Sequence, residues 1–168
     1  MLIIGDSIST DSNSTGPNYG NYEKWVMKLI NQGFFSKDKV TNDSIHATGF
    51  TVTAGETVNE TQLFINRLKA VENPEDYDIV IIFGGINDFI KCQTVNIEFS
   101  VFTEAVDAFF AYLTDTFVNA RVCVFSPLRI AYNSTNLNKH VQQDYMDYIK
   151  DVAKSYCLPI LNLSEESG

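Results

Sequence analysis

The sequence predicts an α/β protein: a parallel sheet of about five strands, covered by helices on both faces in a three-layer α/β/α sandwich. Two observations predict it. The runs "DIVIIFGG" (78–85) and "ARVCVFSP" (120–127) are continuous apolar stretches bounded by turn residues, the pattern of strands buried on both faces. The segments between strands carry apolar residues at helical spacing, and strands alternating with helices imply right-handed β-α-β units.

In chain order, Leu2 to Ile4 form a short buried strand. Tyr22, Trp25, Val26, Leu29 and Ile30 recur at helical spacing, with Gly33 as the stop. A weaker second strand is expected near Asp43 to Ala47. Leu63, Ile65, Leu68 and Val71 define a second helix, ended by "NPEDYD" with Pro74 as breaker. The strand at 78–85 follows, then a long amphipathic helix from Phe99 to Phe117, then the strand at 120–127, closed by Pro127. Leu137 to Tyr156 reads as a helix with Val141, Tyr145, Ile149 and Val152 on one face, and "LPILNL" (158–163) is the last strand.

No repeat or linker divides the 168 residues, so they are read as one domain, 1–168. The longest apolar runs fall far short of the roughly 18 residues a membrane span needs. The net charge of −9, without a basic patch, opposes nucleic acid as a partner. Cys92, Cys123 and Cys157 lack metal-type spacing and read as reduced thiols in core or near-core places, and the two histidines stand alone. No metal or organic cofactor is implied. "MLII" has neither a basic segment nor a long apolar core, so no signal peptide is read in it, and localisation is left open.

In parallel α/β sheets the chemistry gathers at the carboxyl ends of the strands. Gly5-Asp6-Ser7 follows the first strand, His46 to Gly49 the second, and Gly84 to Asp88 the third. All three groups should meet on one edge. Each alone is also an ordinary turn, since Gly, Asp, Asn and Ser are common turn formers. A serine at a strand end can act as a nucleophile if its hydroxyl is exposed at the sheet mouth. An asparagine amide in a glycine-rich loop can aim an N–H at a developing oxyanion.

Taken together and in this order, "GDSIS" with Ser7, the loop glycine Gly49, and "GGIND" with Gly85, Asn87 and Asp88 resemble the SGNH/GDSL hydrolase family. The resemblance spans nearly the whole chain. It implies a flavodoxin-like sandwich that hydrolyses esters, such as acyl lipids, acetylated sugars or small thioesters. It further implies Ser7 as nucleophile, with the backbone N–H of Ser7, that of Gly49 and the Asn87 amide as the oxyanion hole; Gly55 competes with Gly49 for the middle place. Asp6, Gly85 and Asp88 are expected on the substrate side. Tyr19, Tyr22 and Phe89, in or beside the loops Asp11–Tyr19 and Phe89–Phe99, can stack on a sugar ring or simply pack.

The same resemblance places the catalytic base in an Asp-x-x-His block after the last strand, where this chain reads "NLSEESG". His140 has Leu137 three residues earlier and precedes the final strand; His46 follows the second strand as a surrogate base or a loop residue. The expectation is therefore a hydrolase truncated at its C-terminus, weak or inactive as it stands, with the histidine outside these residues. An uncovered sheet face would expose about four large apolar side chains at ~1.5–3 kcal/mol each, which favours a homodimer or another covering element. The alternative is a non-catalytic binding module for a carbohydrate or acyl group on the same scaffold. A nucleotide binder is disfavoured because no G-x-G-x-x-G occurs.

Overall fold

The computed structural model describes residues 1–10, 25–130 and 135–163. Five strands form one parallel sheet: β1 (Leu2–Gly5), β2 (Thr41–Ser44), β3 (Ile79–Phe83), β4 (Arg121–Phe125) and β5 (Ile160–Leu161), in the order β2-β1-β3-β4-β5. Among the described residues five α-helices accompany them: α1 (Trp25–Asn31), α2 (Phe64–Lys69), α3 (Ile86–Lys91), α4 (Phe99–Thr116) and α5 (Gln142–Ser155). This is the three-layer arrangement expected from the alternation of elements.

The alternation of side chains across each strand sorts the core into two faces. Leu2, Ile4, Val80, Ile82, Val122 and Val124 point towards α2, α4 and α5 and join the main apolar cluster. Ile3 and Ile81 point the other way, to Val26, Trp25 and Ile30 of α1. The main face holds most of the aromatic mass. Helix α4 presents Phe102, Val106, Phe109, Phe110 and Leu113 at spacings of three and four, so a single stripe is buried. Helix α1 ends as its glycine forecast: Gly33, at φ 78°, donates to Ile30 O and Phe34 donates to Leu29 O, which satisfies the last carbonyls.

Several boundaries move. The second strand lies at Thr41–Ser44 rather than 43–47, because its pairing with β1 stops at Gly5 against Ser44 and Ala47 turns to φ 57°. The helix expected from Leu137 starts at Gln142, since residues 136–140 form a turn around the Asn136 side chain and Lys139 sits at φ 65°. Only two residues of the last run pair as strand. Helix α3 lies in a segment the sequence presents as loop, because six residues are too few to show a helical period. The thiols also divide: Cys92 is buried and Cys123 half-buried, but Cys157 is exposed rather than near the core.

Gly84 shows how tightly the β3 exit is packed. A Cβ there would stand 2.3 Å from Cζ of the fully buried Phe64 ring. Gly84→Ala is expected to lower stability by about 1–3 kcal/mol through overpacking. Urea unfolding measures it, and an unchanged midpoint would contradict this packing.

Candidate active site

The three carboxyl-end loops do meet. At the end of β1 the chain turns sharply: Asp6 O accepts Ser9 N–H at 3.1 Å and Asp6 Oδ1 accepts Ile8 N–H at 2.9 Å. The turn leaves Ser7 half-exposed while Asp6 and Ser9 are buried on either side. It is pinned from outside as well. Trp25 Nε1 donates to Ser9 Oγ at 3.1 Å, Asn42 Nδ2 donates to Ser9 O at 2.7 Å, and Thr10 Oγ1 donates to Ser7 O at 3.1 Å.

The third loop reaches both of the others. Gly85 stands at φ 107° and starts α3, whose first turn carries Asn87 and Asp88. Asn87 Nδ2 donates to Thr48 O at 2.9 Å and approaches Asp6 Oδ2 at 3.5 Å. The next residue grips the second loop. Asp88 Oδ2 accepts Phe50 N–H at 3.2 Å, and Oδ1 accepts both Thr51 N–H at 2.8 Å and Thr51 Oγ1–H at 2.7 Å. Gly49 makes this approach possible: a Cβ at that position would lie 2.1 Å from Asp88 Oδ2.

These contacts describe the surroundings of the expected site residues. The Gly49 N–H donates to Val52 O at 2.9 Å and closes a turn. Asp6 and Asp88, expected on the substrate side, are fully buried and bind backbone N–H groups. Gly85 is buried too, with the Ile149 side chain of α5 directly above it. The competing Gly55 lies at φ 91° in open space, its carbonyl accepting Lys91 Nζ–H at 2.6 Å. Phe89 is buried in the core, edge-on to Tyr145, and offers no ring to a ligand. Tyr19, Tyr22 and the loop Asp11–Tyr19 lie outside the described residues.

Sequence reasoning missed Arg67. It is 4 % exposed on α2, stacked over Phe64 with its guanidinium carbon 4.8 Å from the ring centre. Its Nη2 donates to Gly5 O at 3.0 Å and to Thr48 Oγ1 at 3.1 Å; Nε donates to Gln62 O at 3.0 Å, and Nη1 donates to Asp43 O. Burial lowers its pKa, opposed by the charges of Asp43 and Asp6. The one available signal was an arginine at the i+3 position from Phe64, inside the helix's apolar stripe.

Neither histidine shows a contact with Ser7. His140 stacks on Phe99 with ring centres 4.1 Å apart, and its Nδ1 lies 3.0 Å from Asp144 Oδ2 on the α4–α5 side. His46 is exposed just beyond β2. An Asp-x-x-His spacing does occur there, at Asp43 and His46. Asp43 serves Arg67 instead, with its carboxylate 3.8 Å from Nη1. Burial raises the thiol pKa of Cys92 and Cys123, which keeps both protonated and poorly nucleophilic. Among the described residues no group of three or more His, Cys, Asp or Glu could hold a metal ion, and no helix is long and apolar enough to cross a membrane.

The family model of the GDSL-like lipase/acylhydrolase family matches residues 3–167. The chain belongs to this family. Membership assigns it to the esterases and acylhydrolases. Solved structures agree in fold. A Lactobacillus plantarum protein aligns with a TM-score of 0.73 and 21% identity, over 99% of this chain and 77% of that one. The lipase/acylhydrolase from Enterococcus faecalis aligns with a TM-score of 0.61 and 17% identity, over 98% and 76%. A family two carbohydrate esterase from Clostridium thermocellum, in complex with cellohexaose, aligns with a TM-score of 0.58 and 16% identity, over 95% and 51%. No curated protein matches this GDSL-family chain.

Asp88 links this GDSL site to pH. Burial pushes its carboxyl from the ordinary 3.8 up to about 6, against the opposing pull of the Thr51 and Phe50 donors. The folded state therefore holds the proton more tightly than the unfolded chain does. The stability this contributes is full below pH about 4 and is lost as pH rises through about 6, by up to about 3 kcal/mol. Asp88→Asn removes this titration. The urea-unfolding difference, wild type minus variant, should fall across that window; a pH-independent difference would refute the assignment.

Proposed function

We propose that this chain is a serine ester hydrolase of the SGNH/GDSL type, acting on an acyl ester or an acetylated sugar through an acyl-serine intermediate. The observation that carries the reading is the Asn87 amide. It is held by Thr48 O from the second loop and aimed past Asp6 of the first, one residue from Ser7. Family membership and the half-exposed Ser7 at the strand end support it further.

Ser7 Oγ adds to the ester carbonyl carbon, and its proton passes to a base. The carbonyl oxygen becomes an oxyanion beside the Ser7 N–H and the Asn87 amide. Of the two Asn87 amide hydrogens, the one meeting Asp6 at the long 3.5 Å contact is the one an oxyanion draws away. Collapse of the adduct breaks the acyl C–O bond, and the protonated base returns its proton to the leaving alcohol. Water, activated by the same base, then hydrolyses the acyl-serine. Gly49 contributes by letting Asp88 approach, not by donating. Of the two histidines, His140 is engaged with Phe99 and Asp144 and His46 is exposed beyond β2, so added imidazole supplies the base in the test below. The carbohydrate esterase among the structural neighbours is the support for a sugar ester as substrate.

Added imidazole tests this directly. With 4-nitrophenyl acetate, imidazole should raise turnover of the wild type at least tenfold above that of Ser7→Ala under the same conditions; equal rates would eliminate Ser7 as nucleophile. Asn87→Ala should lower the imidazole-supported rate on the order of 100-fold, as loss of an oxyanion donor does. Retained unaided turnover that vanishes in His46→Ala would instead locate the base within the chain.

A further inference from the structure

We infer that Arg67 is the positioning residue of this site: one guanidinium nitrogen joins the Ser7 turn to the loop that aims the Asn87 amide. The catalytic consequence rests on the hydrolase reading; the geometric claim does not. Nη2 donates at once to Gly5 O, two residues before Ser7, at 3.0 Å and to Thr48 Oγ1 at 3.1 Å. Thr48 O in turn accepts Asn87 Nδ2 at 2.9 Å. The path Gly5–Arg67–Thr48–Asn87 therefore runs from the end of β1, where the Ser7 turn begins, through the second loop to the third, and Arg67 is the member contributed by α2.

The side chain is costly where it stands, and packing does not require it. The other buried residues of α2, Phe64 and Leu68, are apolar, and a third apolar side chain would bury this helix with no charge to desolvate. What an apolar residue cannot supply is donors for backbone oxygens. Arg67 serves the carbonyls of Gly5, Asp43 and Gln62, which come from β1, β2 and the turn before α2. Its planar fork sends these donors in fixed directions, so it sets distances as well as satisfying oxygens. Asp43 and Asp6 lie near enough to support its charge. The group touches loop backbone and the Thr48 hydroxyl, so its effect on an ester passes through the positions of Ser7 and Asn87.

The test reads the site without requiring turnover. The Asn87 side-chain amide pair is assigned in a ¹H–¹⁵N spectrum of the full chain by its loss in Asn87→Asp, and is then followed in Arg67→Met, Arg67→Lys and Thr48→Val. Arg67→Met should displace the pair and lower imidazole-supported kcat about 10- to 100-fold with KM within about twofold, the signature of lost transition-state alignment. Arg67→Lys, which keeps the charge but not the fork, should recover only part of both. A folded Arg67→Met with the Asn87 pair and kcat unchanged would overturn the inference. If that variant does not fold, Thr48→Val decides; it removes the hydroxyl that receives Nη2 and that itself donates to Ile45 O at 2.8 Å: an unmoved Asn87 pair overturns the inference, and a pair displaced together with the Arg67 side-chain N–H signals supports it, whereas one displaced with those signals unmoved overturns it. A wild type with no Ser7-dependent turnover would defeat the hydrolase reading, while the amide pair would still judge Arg67.

Discussion

The site depends on a buried carboxylate closing over a residue that has no side chain. Asp88 can take the N–H groups of Phe50 and Thr51 only because Gly49 leaves its oxygens room. In a fully buried place such an anion must find donors, and the backbone of the second loop supplies them. Asn87 and Asp88 are consecutive, so the first turn of α3 holds that loop at two points: the Thr48 carbonyl by the amide, the Phe50 and Thr51 amides by the carboxylate. The result is a loop without regular structure that is held as firmly as a strand.

The core holds the same loop from beneath. Phe50 packs edge-on against Phe102 and Phe109 of α4, with ring centres 5.9 and 5.3 Å apart, and lies 4.9 Å from Phe64. Phe64 fills the space that Gly84 leaves and carries the Arg67 guanidinium on its face. The polar edge and the apolar interior thus share side chains. Aromatic packing of this kind fixes ring positions to within the free volume of a close-packed interior. The loops at the carboxyl edge are therefore fixed by the same aromatic side chains that build the core.

Much of this was legible beforehand, for identifiable reasons. β3 and β4 announced themselves because strands covered on both faces must be apolar throughout. β2, reading "TNDS", sits at the sheet edge and has no such obligation, so its limits were blurred. The order Gly-Asp-Ser, Gly, Gly-x-Asn-Asp marked three loops that meet at one edge of the sheet, where Asn87 reaches both Asp6 and Thr48. What the residue types alone did not reveal was which polar groups are structural. Asp6 and Asp88 look like reactive-site residues by kind, but only the folded chain shows them buried with backbone N–H groups as partners. Arg67 escaped for the opposite reason: arginine is ordinarily a surface residue, and only the folded chain shows four backbone and hydroxyl oxygens converging on it.

The two margins of the sheet carry a consequence of their own. One is a four-residue strand of Thr, Asn, Asp and Ser; the other is a two-residue strand preceded by Pro159, which has no N–H to offer. Neither margin presents a long, flat, hydrophobic template, so recruitment of a foreign strand, the first event in fibril growth, finds little to extend.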